Sequence, residues 1–263
     1  MKRGISLVYS FVIATSTSNR PVFGFTKTNV QSTTSLTQKG LVKRSLSSGS
    51  NMGEDGESSW RSLLEVSIAR SRKIRGSNYV QISTVKDGEP RCRTVVFRGF
   101  QKVAEDHELF NDIEEKSCLM KMCTDKRSKK VSQTSQQKIA EMVWWFPKTS
   151  EQYRIRGPLI LIGGDTDDRK LEIARKELWG NLSDPARESF LGQVVPGESY
   201  EKDRSVIPSG GKDKDGKMLP PPDNFLLMLL DPAEVDYLRL TGDQYRQVDT
   251  RSSSGWWGKR VNP

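Results

Sequence analysis

Arg93-Thr94-Val95-Val96-Phe97-Arg98-Gly99-Phe100, Thr124-Asp125-Lys126-Arg127-Ser128-Lys129-Lys130 and Glu151-Gln152-Tyr153-Arg154-Ile155-Arg156-Gly157 are three runs in which a strand-like pattern meets cations and hydroxyls. In the first, alternation puts Arg93, Val95 and Phe97 on one face, and Thr94, Val96 and Arg98 on the other. In the second, Ser128-Lys129-Lys130 opens a helix. Free N–H groups and the positive end of the dipole at a helix start attract a phosphate. The third begins a strand with Gln152. Gly-x-Gly-x-x-Gly and Gly-x-x-x-x-Gly-Lys-[Ser/Thr] are both absent, so no Rossmann turn or P-loop holds a nucleotide here.

Working outward, Trp60, Leu63, Leu64, Ser67 and Ile68 recur at helical spacing and predict a helix over 59–73. Residues 79–85 alternate as a strand, Lys86-Asp87-Gly88-Glu89 reads as a hairpin turn, and 92–100 returns as the second strand. A third strand is expected at 117–124. A polar helix with Val131, Ser135, Ile139 and Met142 on one face follows, then strands at 141–146 and 153–162. Residues 165–179 and the segment opening at Ser183-Asp184-Pro185 read as helices, the latter by capping and proline in the first turn. The Gly-, Pro-, Lys- and Asp-rich stretch 193–223 is expected to be a flexible surface loop. Strands close the chain at 225–230, buried on both faces, at 235–240 and at 256–261. Many short strands with few helices indicate a β-barrel carrying helices outside.

The chain has 263 residues and a formal charge of +9, which raises nucleic acid as a partner. Residues 1–51 hold seven Lys/Arg, seventeen Ser/Thr and no Asp/Glu, leaving 35 of the 42 basic residues against all 33 acids in the remainder. The body is therefore near neutral, and neither a nucleic-acid nor a membrane partner is expected. The hydroxylated, basic, acid-free start reads as an organelle transit peptide, plastid or mitochondrial, with a disordered leader as the alternative. Met52 offers a second start that would leave a cytosolic form. Residues 52–263 then form one domain. The single histidine, His107, reads as a solvated turn residue. One histidine excludes most serine-hydrolase triads and His-based metal sites, so no metal is expected. Cys92, Cys118 and Cys123 contain no Cys-x-x-Cys, and the last two read as core thiols. Trp144, Trp145 and Phe146 read as core packing rather than ligand contacts.

In this order and at these gaps, the three runs resemble the flavin-binding half of the pyridoxamine 5'-phosphate oxidase-like split barrels, in particular the FMN-binding-domain branch. The resemblance covers residues 60–263. It implies a fold that is mainly β with flanking helices (α+β), a split β-barrel, dimeric, with FMN at the dimer interface. It implies that Arg93 bonds the FMN phosphate with Thr124, Ser128, Lys129 and Lys130. The backbone of Thr94, Val95 and Val96 would run along the flavin ring. Arg98 would sit near ring and substrate as the candidate catalytic residue, stabilising negative charge on the reduced ring. Gln152 would reach the flavin held mainly by the other subunit, which requires a homodimer. The implied activity passes hydride equivalents from a small substrate, pyridoxamine or pyridoxine 5'-phosphate, to the flavin and on to dioxygen or another acceptor.

The sequence departs from that pattern in five places. Arg98 stands where the oxidases have Lys, Lys129 where they have Arg, and Glu151 where they have a basic residue. The substrate-gripping Arg-Leu-His-Asp-Arg near the terminus falls on Gln244-Tyr245-Arg246-Gln247-Val248, and a flavin-facing Trp falls on Leu238. Flavin binding is thus better supported than B6 oxidation. The alternatives are a non-catalytic FMN-binding module, or a flavin oxidoreductase acting on a substrate other than B6 phosphates.

Overall fold

A computed structural model describes residues 58–263 except 201 and 203–205. The expected transit peptide and the alternative start at Met52 lie outside the described residues. The elements in chain order are α1 (Trp60–Ser71), β1 (Tyr79–Lys86), β2 (Glu89–Val96), β3 (Met120–Asp125), α2 (Lys129–Gln136), β4 (Ile139–Phe146), β5 (Glu151–Ile162), α3 (Arg169–Gly180), α4 (Asp184–Leu191), β6 (Phe225–Leu230), β7 (Glu234–Arg239), β8 (Tyr245–Ser252) and β9 (Gly255–Val261). A short 3-10 turn spans Ser209–Gly211.

All strand pairings are antiparallel, and the main path runs β2-β1-β4-β5-β7-β8-β9. β5 is what splits the barrel. Its first half, Glu151 to Arg156, pairs with β7, and its second, Leu159 to Ile162, pairs with β6, which in turn pairs with β3. Gly157 sits at the changeover. A Cβ there would lie 1.9 Å from the carbonyl oxygen of Asp231, so no other residue fits this crossing. The β1–β2 hairpin turns on Asp87 and Gly88, both at positive φ (53° and 80°), as Asp-Gly predicts.

Inside the barrel, Val80, Ile82, Val95, Phe97, Met142, Trp144, Phe146, Tyr153, Ile155 and Tyr237 pack beneath Trp60 and Leu64 of α1. A second core forms between the sheet and α3, from Phe225, Leu227, Leu229, Leu171, Leu178 and Trp179. β6 contributes to both, and all six of its residues are buried, as its apolar run requires.

Four sequence expectations change. Ile139 and Met142 do not continue α2. The helix stops at Gln136, and both residues alternate inside β4, because a period of two from Ile139 onward buries Ala140, Met142, Trp144 and Phe146 in the barrel. β2 ends at Val96 rather than Phe100. β8 carries no apolar alternation and was not foreseen. Trp144 and Phe146 are core, but Trp145 is 42 % exposed on the outer face.

Candidate functional site

Arg93 lies opposite Ile82 in the β1–β2 hairpin, at the end of the barrel that α2 covers. Its guanidinium donates to Thr84 Oγ1 (2.7 Å), to Gln133 Oε1 on α2 (2.6 Å) and to the Ile82 carbonyl (3.4 Å). Nearly one turn earlier on α2, Lys130 Nζ donates to Thr124 Oγ1 (2.8 Å) and Ser128 Oγ (3.0 Å), and these two hydroxyls lie 3.2 Å apart. Ser128 is the N-cap of α2, yet its side chain makes no capping bond; Val131 N–H donates to the Ser128 carbonyl (3.0 Å), which leaves the N–H groups of Lys129 and Lys130 for another acceptor.

Every partner that the structure gives Arg93 and Lys130 is a neutral oxygen. Burial lowers the pKa of both, and the Arg93 charge lowers Lys130 further, while Asp125 pulls it the other way. Asp125 is itself occupied by Arg127 and Asn224. Two half-buried cations without a carboxylate of their own, two hydroxyls and a helix start make a donor set that fits a phosphate monoester. Lys129 is exposed and takes no part in these bonds.

Beyond Val96 the chain leaves β1 and turns to β3. Arg98 N–H donates to the Lys121 carbonyl (2.7 Å), and Lys121 N–H donates to that of Gly99 (2.8 Å), which sits at φ 101°. The Arg98 guanidinium lies against Cys123. That thiol is pushed up by burial and pulled down by Arg98 and Lys130. The buried Arg98 Nε has no hydrogen-bond partner among the described residues. Thr94 is exposed, Val96 half-buried and Val95 buried, so Val95 can meet a ligand only through its backbone. β2 pairs with β1 alone, so its outer backbone edge is open for such contacts.

Gln152 is not brought to this cluster. β5 lies three strands from β2, roughly 14 Å away at ordinary strand spacing. The register instead aligns Trp145, Gln152, Leu238 and Arg246 in one row across the outer face. Arg246 belongs to the stretch on which the missing substrate motif falls. Here it is held by Asp236 (3.0 and 2.8 Å), which Arg154 also contacts. Only strand register reveals that row.

Glu151 points the opposite way, into the barrel. Its carboxylate accepts hydrogens from Ser67 (2.8 Å), Thr149 (2.5 Å) and Tyr237 (2.9 Å). This explains the missing basic residue: position 151 fastens α1 to β7. His107 is likewise no solvated residue. It is 10 % exposed, with Nε2 at 2.6 Å from Asp168, the N-cap of α3, and Nδ1 accepting from Leu109 N–H (3.0 Å). A groove of about 300 Å³ lined by Arg75, Tyr79, Gln81 and Trp145 opens at the opposite end of β1 from the cation cluster.

Residues 57–163 match the family model described as pyridoxamine 5'-phosphate oxidase, FMN-binding domain. The chain is 30% identical over 214 residues to the pyridoxine/pyridoxamine 5'-phosphate oxidase 2 of Arabidopsis thaliana, covering 78% of this chain and 96% of the relative. Among solved structures, a pyridoxamine 5'-phosphate oxidase-related, FMN binding protein from Nostoc punctiforme superposes with a TM-score of 0.65 at 34% identity, over 79% of this chain and 98% of that one. PhzG from Burkholderia lata, solved with tetrahydrophenazine-1-carboxylic acid, superposes at 0.59 with 18% identity, over 80% of this chain and 95% of its own. This second likeness is one of fold alone.

Proposed function

The chain belongs to the pyridoxamine 5'-phosphate oxidase family of FMN-binding proteins, and from that premise we propose that it is a homodimeric FMN-dependent oxidoreductase whose cofactor phosphate is held by Arg93, Thr124, Ser128 and Lys130. The observation that carries this reading is the Arg93–Lys130 pair: two cations lowered by burial, bonded only to neutral oxygens beside an uncapped helix start. A phosphate dianion accepts from all these donors and cancels their mutual repulsion. Lys129 would add charge from the exposed rim.

FMN, when bound, supplies the hydride and electron transfer. The chain's own residues position it and shield it. The open edge of β2 at Thr94, Val95 and Val96 offers directional backbone donors and acceptors. Arg98 brings a buried, unpartnered N–H to the same region and is the candidate catalytic residue. Gln152 lies too far from this cluster to serve it within one chain, which favours a site completed by a second copy across the outer face. Arg246, in the same row, would then face the partner's site too.

Pyridoxamine and pyridoxine 5'-phosphate are the first substrates to try. The absence of Arg-Leu-His-Asp-Arg supports the second reading, an FMN carrier or an oxidase of another substrate. The acid-free, basic composition of residues 1–51 supports delivery to an organelle, checked by following a fluorescent fusion of that segment. The full-length chain should purify yellow, with flavin bands near ~370 and ~450 nm. Formation of pyridoxal 5'-phosphate from pyridoxamine 5'-phosphate in air would establish B6 oxidation. A yellow protein inert to it would select the second reading. A colourless chain that refuses added FMN would refute the cofactor assignment.

A further inference from the structure

Arg127 lies on the turn that adjoins the cation cluster, where its side chain engages Asp125. We propose that Arg127 is a positioning residue for the cofactor phosphate: by cancelling the charge of Asp125 beside Lys130, it leaves the Lys130 ammonium to the phosphate. The inference rests on the cofactor assignment made above.

The geometry is that of a hub centred on the Asp125 carboxylate. Arg127 Nε donates to both Asp125 oxygens (3.0 and 3.2 Å), Nη2 donates to Oδ2 (2.7 Å), and the Arg127 backbone N–H donates to Oδ1 (2.7 Å). Asn224 Nδ2 adds a further donor at 2.8 Å. Asp125 is 9 % exposed, so a bare carboxylate there would lack water to solvate it. The hub also reaches outward. Arg127 Nη1 donates to the Gly192 carbonyl (2.9 Å), Asn224 Nδ2 to that of Phe190 (2.9 Å), and Lys126 N–H to that of Asn224 (2.7 Å). The turn between β3 and α2 is thereby tied to the end of α4 and the start of β6. The chain following α4 then passes close over the start of α2: a Cβ on Gly197 would lie 3.3 Å from Lys129 Cε.

Asp125 lies close enough to Lys130 to act on its charge. Without Arg127, its carboxylate would compete with phosphate for Lys130 and repel the phosphate directly. One unscreened charge at that range, in a partly buried setting, weakens anion binding on the order of tenfold or more. Riboflavin, the same ring without phosphate, would be spared.

The test titrates FMN and riboflavin against the full chain, its R127Q variant and the R127Q/D125N double variant, following flavin fluorescence. The expected result is an FMN affinity about tenfold or more weaker in R127Q, a riboflavin affinity within about threefold, and recovery of FMN binding when D125N is added. Equal losses for both flavins, or no recovery, would overturn the proposal. So would an unchanged R127Q beside a wild type that binds FMN. A wild type that binds neither flavin defeats the cofactor assignment and this proposal with it. Should R127Q not fold, D125N alone decides: it must not weaken FMN relative to riboflavin, and a selective loss there would overturn the idea equally.

Discussion

Replacing Arg93 with alanine separates binding from stability. In the ligand-free chain, Arg93 serves three acceptors, Thr84 Oγ1 and Gln133 Oε1 closely and the Ile82 carbonyl at 3.4 Å. Thr84 Oγ1 still donates to Gln133 Oε1 at 2.6 Å after the guanidinium is gone, so neither oxygen is orphaned. Lys130 also loses a like charge that burial leaves poorly screened. These effects oppose the loss of two close hydrogen bonds and a long third, and the stability of R93A should stay within about 1 kcal/mol of wild type in urea titrations without flavin. FMN binding has no such compensation. Two charge-assisted bonds to phosphate, at ~1.5–3 kcal/mol each, amount to at least about 3 kcal/mol, or more than about a hundredfold in affinity. Riboflavin should lose less than about threefold, because the place proposed for the ring is the backbone of Thr94, Val95 and Val96 and not the Arg93 guanidinium. Fluorescence titration with both flavins gives the two numbers. An FMN affinity within about threefold of wild type, or equal losses for both ligands, would refute the assignment of this cluster to the phosphate.

Mixing R93A with Q152A subunits tests the shared site. If Gln152 serves the partner's flavin, each heterodimer contains one site with both residues intact and regains half the flavin of wild type, whereas a site made within one chain regains none. In the ligand-free protein, Lys130 sits below its ordinary value of 10.5 and imposes a penalty below its folded pKa that fades as the pH climbs toward 10.5. The stability gap between K130M and wild type should therefore shift in favour of wild type across that alkaline window in denaturant titrations. For Asp236, burial alone would raise the pKa, but the hydrogen bonds from Arg246 and Arg154 win and hold it below 3.8. Its stabilisation is present above 3.8 and lost as the pH falls through the lower folded value, so the advantage of wild type over D236N should vanish in acid unfolding. E151A strips the acceptor from Thr149 and Tyr237 inside the barrel and should cost about 2–4 kcal/mol in urea unfolding while leaving riboflavin affinity unchanged.

Much of the fold was legible because its period is legible. The 79–85 strand, the Asp-Gly hairpin, the buried 225–230 run and the helix opened by Ser183-Asp184-Pro185 all stand as read. The failure at α2 has a physical cause. Val131, Ser135, Ile139 and Met142 happen to satisfy a helical spacing, but alternation from Ile139 to Phe146 buries four side chains in the barrel, and tertiary burial outweighs a weak local pattern. β8 was invisible for the complementary reason. Its inward residues, Gln247 and Asp249, are polar and bonded to each other at 2.9 and 3.0 Å, so no apolar alternation marks the strand.

The site divides along the same line. The grouping of Arg93, Thr124, Ser128 and Lys130 was legible because each stands in a local signal, an alternating strand or a helix start, and the cluster forms where those signals meet. Glu151 and Arg246 stood in the sequence only as departures from a pattern, because their meaning depends on which face they occupy and what lies across the sheet. At 151 an acid replaces a base without harm to the outer face, since alternation turns that side chain inward and only its neighbour Gln152 outward. At 246 an arginine outside any recognisable motif falls two strands from Gln152 in the same row. A motif lost from the linear sequence is therefore weaker evidence against function than it first looks: the outer row still presents an amide and an arginine fixed by a carboxylate. What it no longer presents is a histidine, and that narrows the open question to the substrate rather than the cofactor.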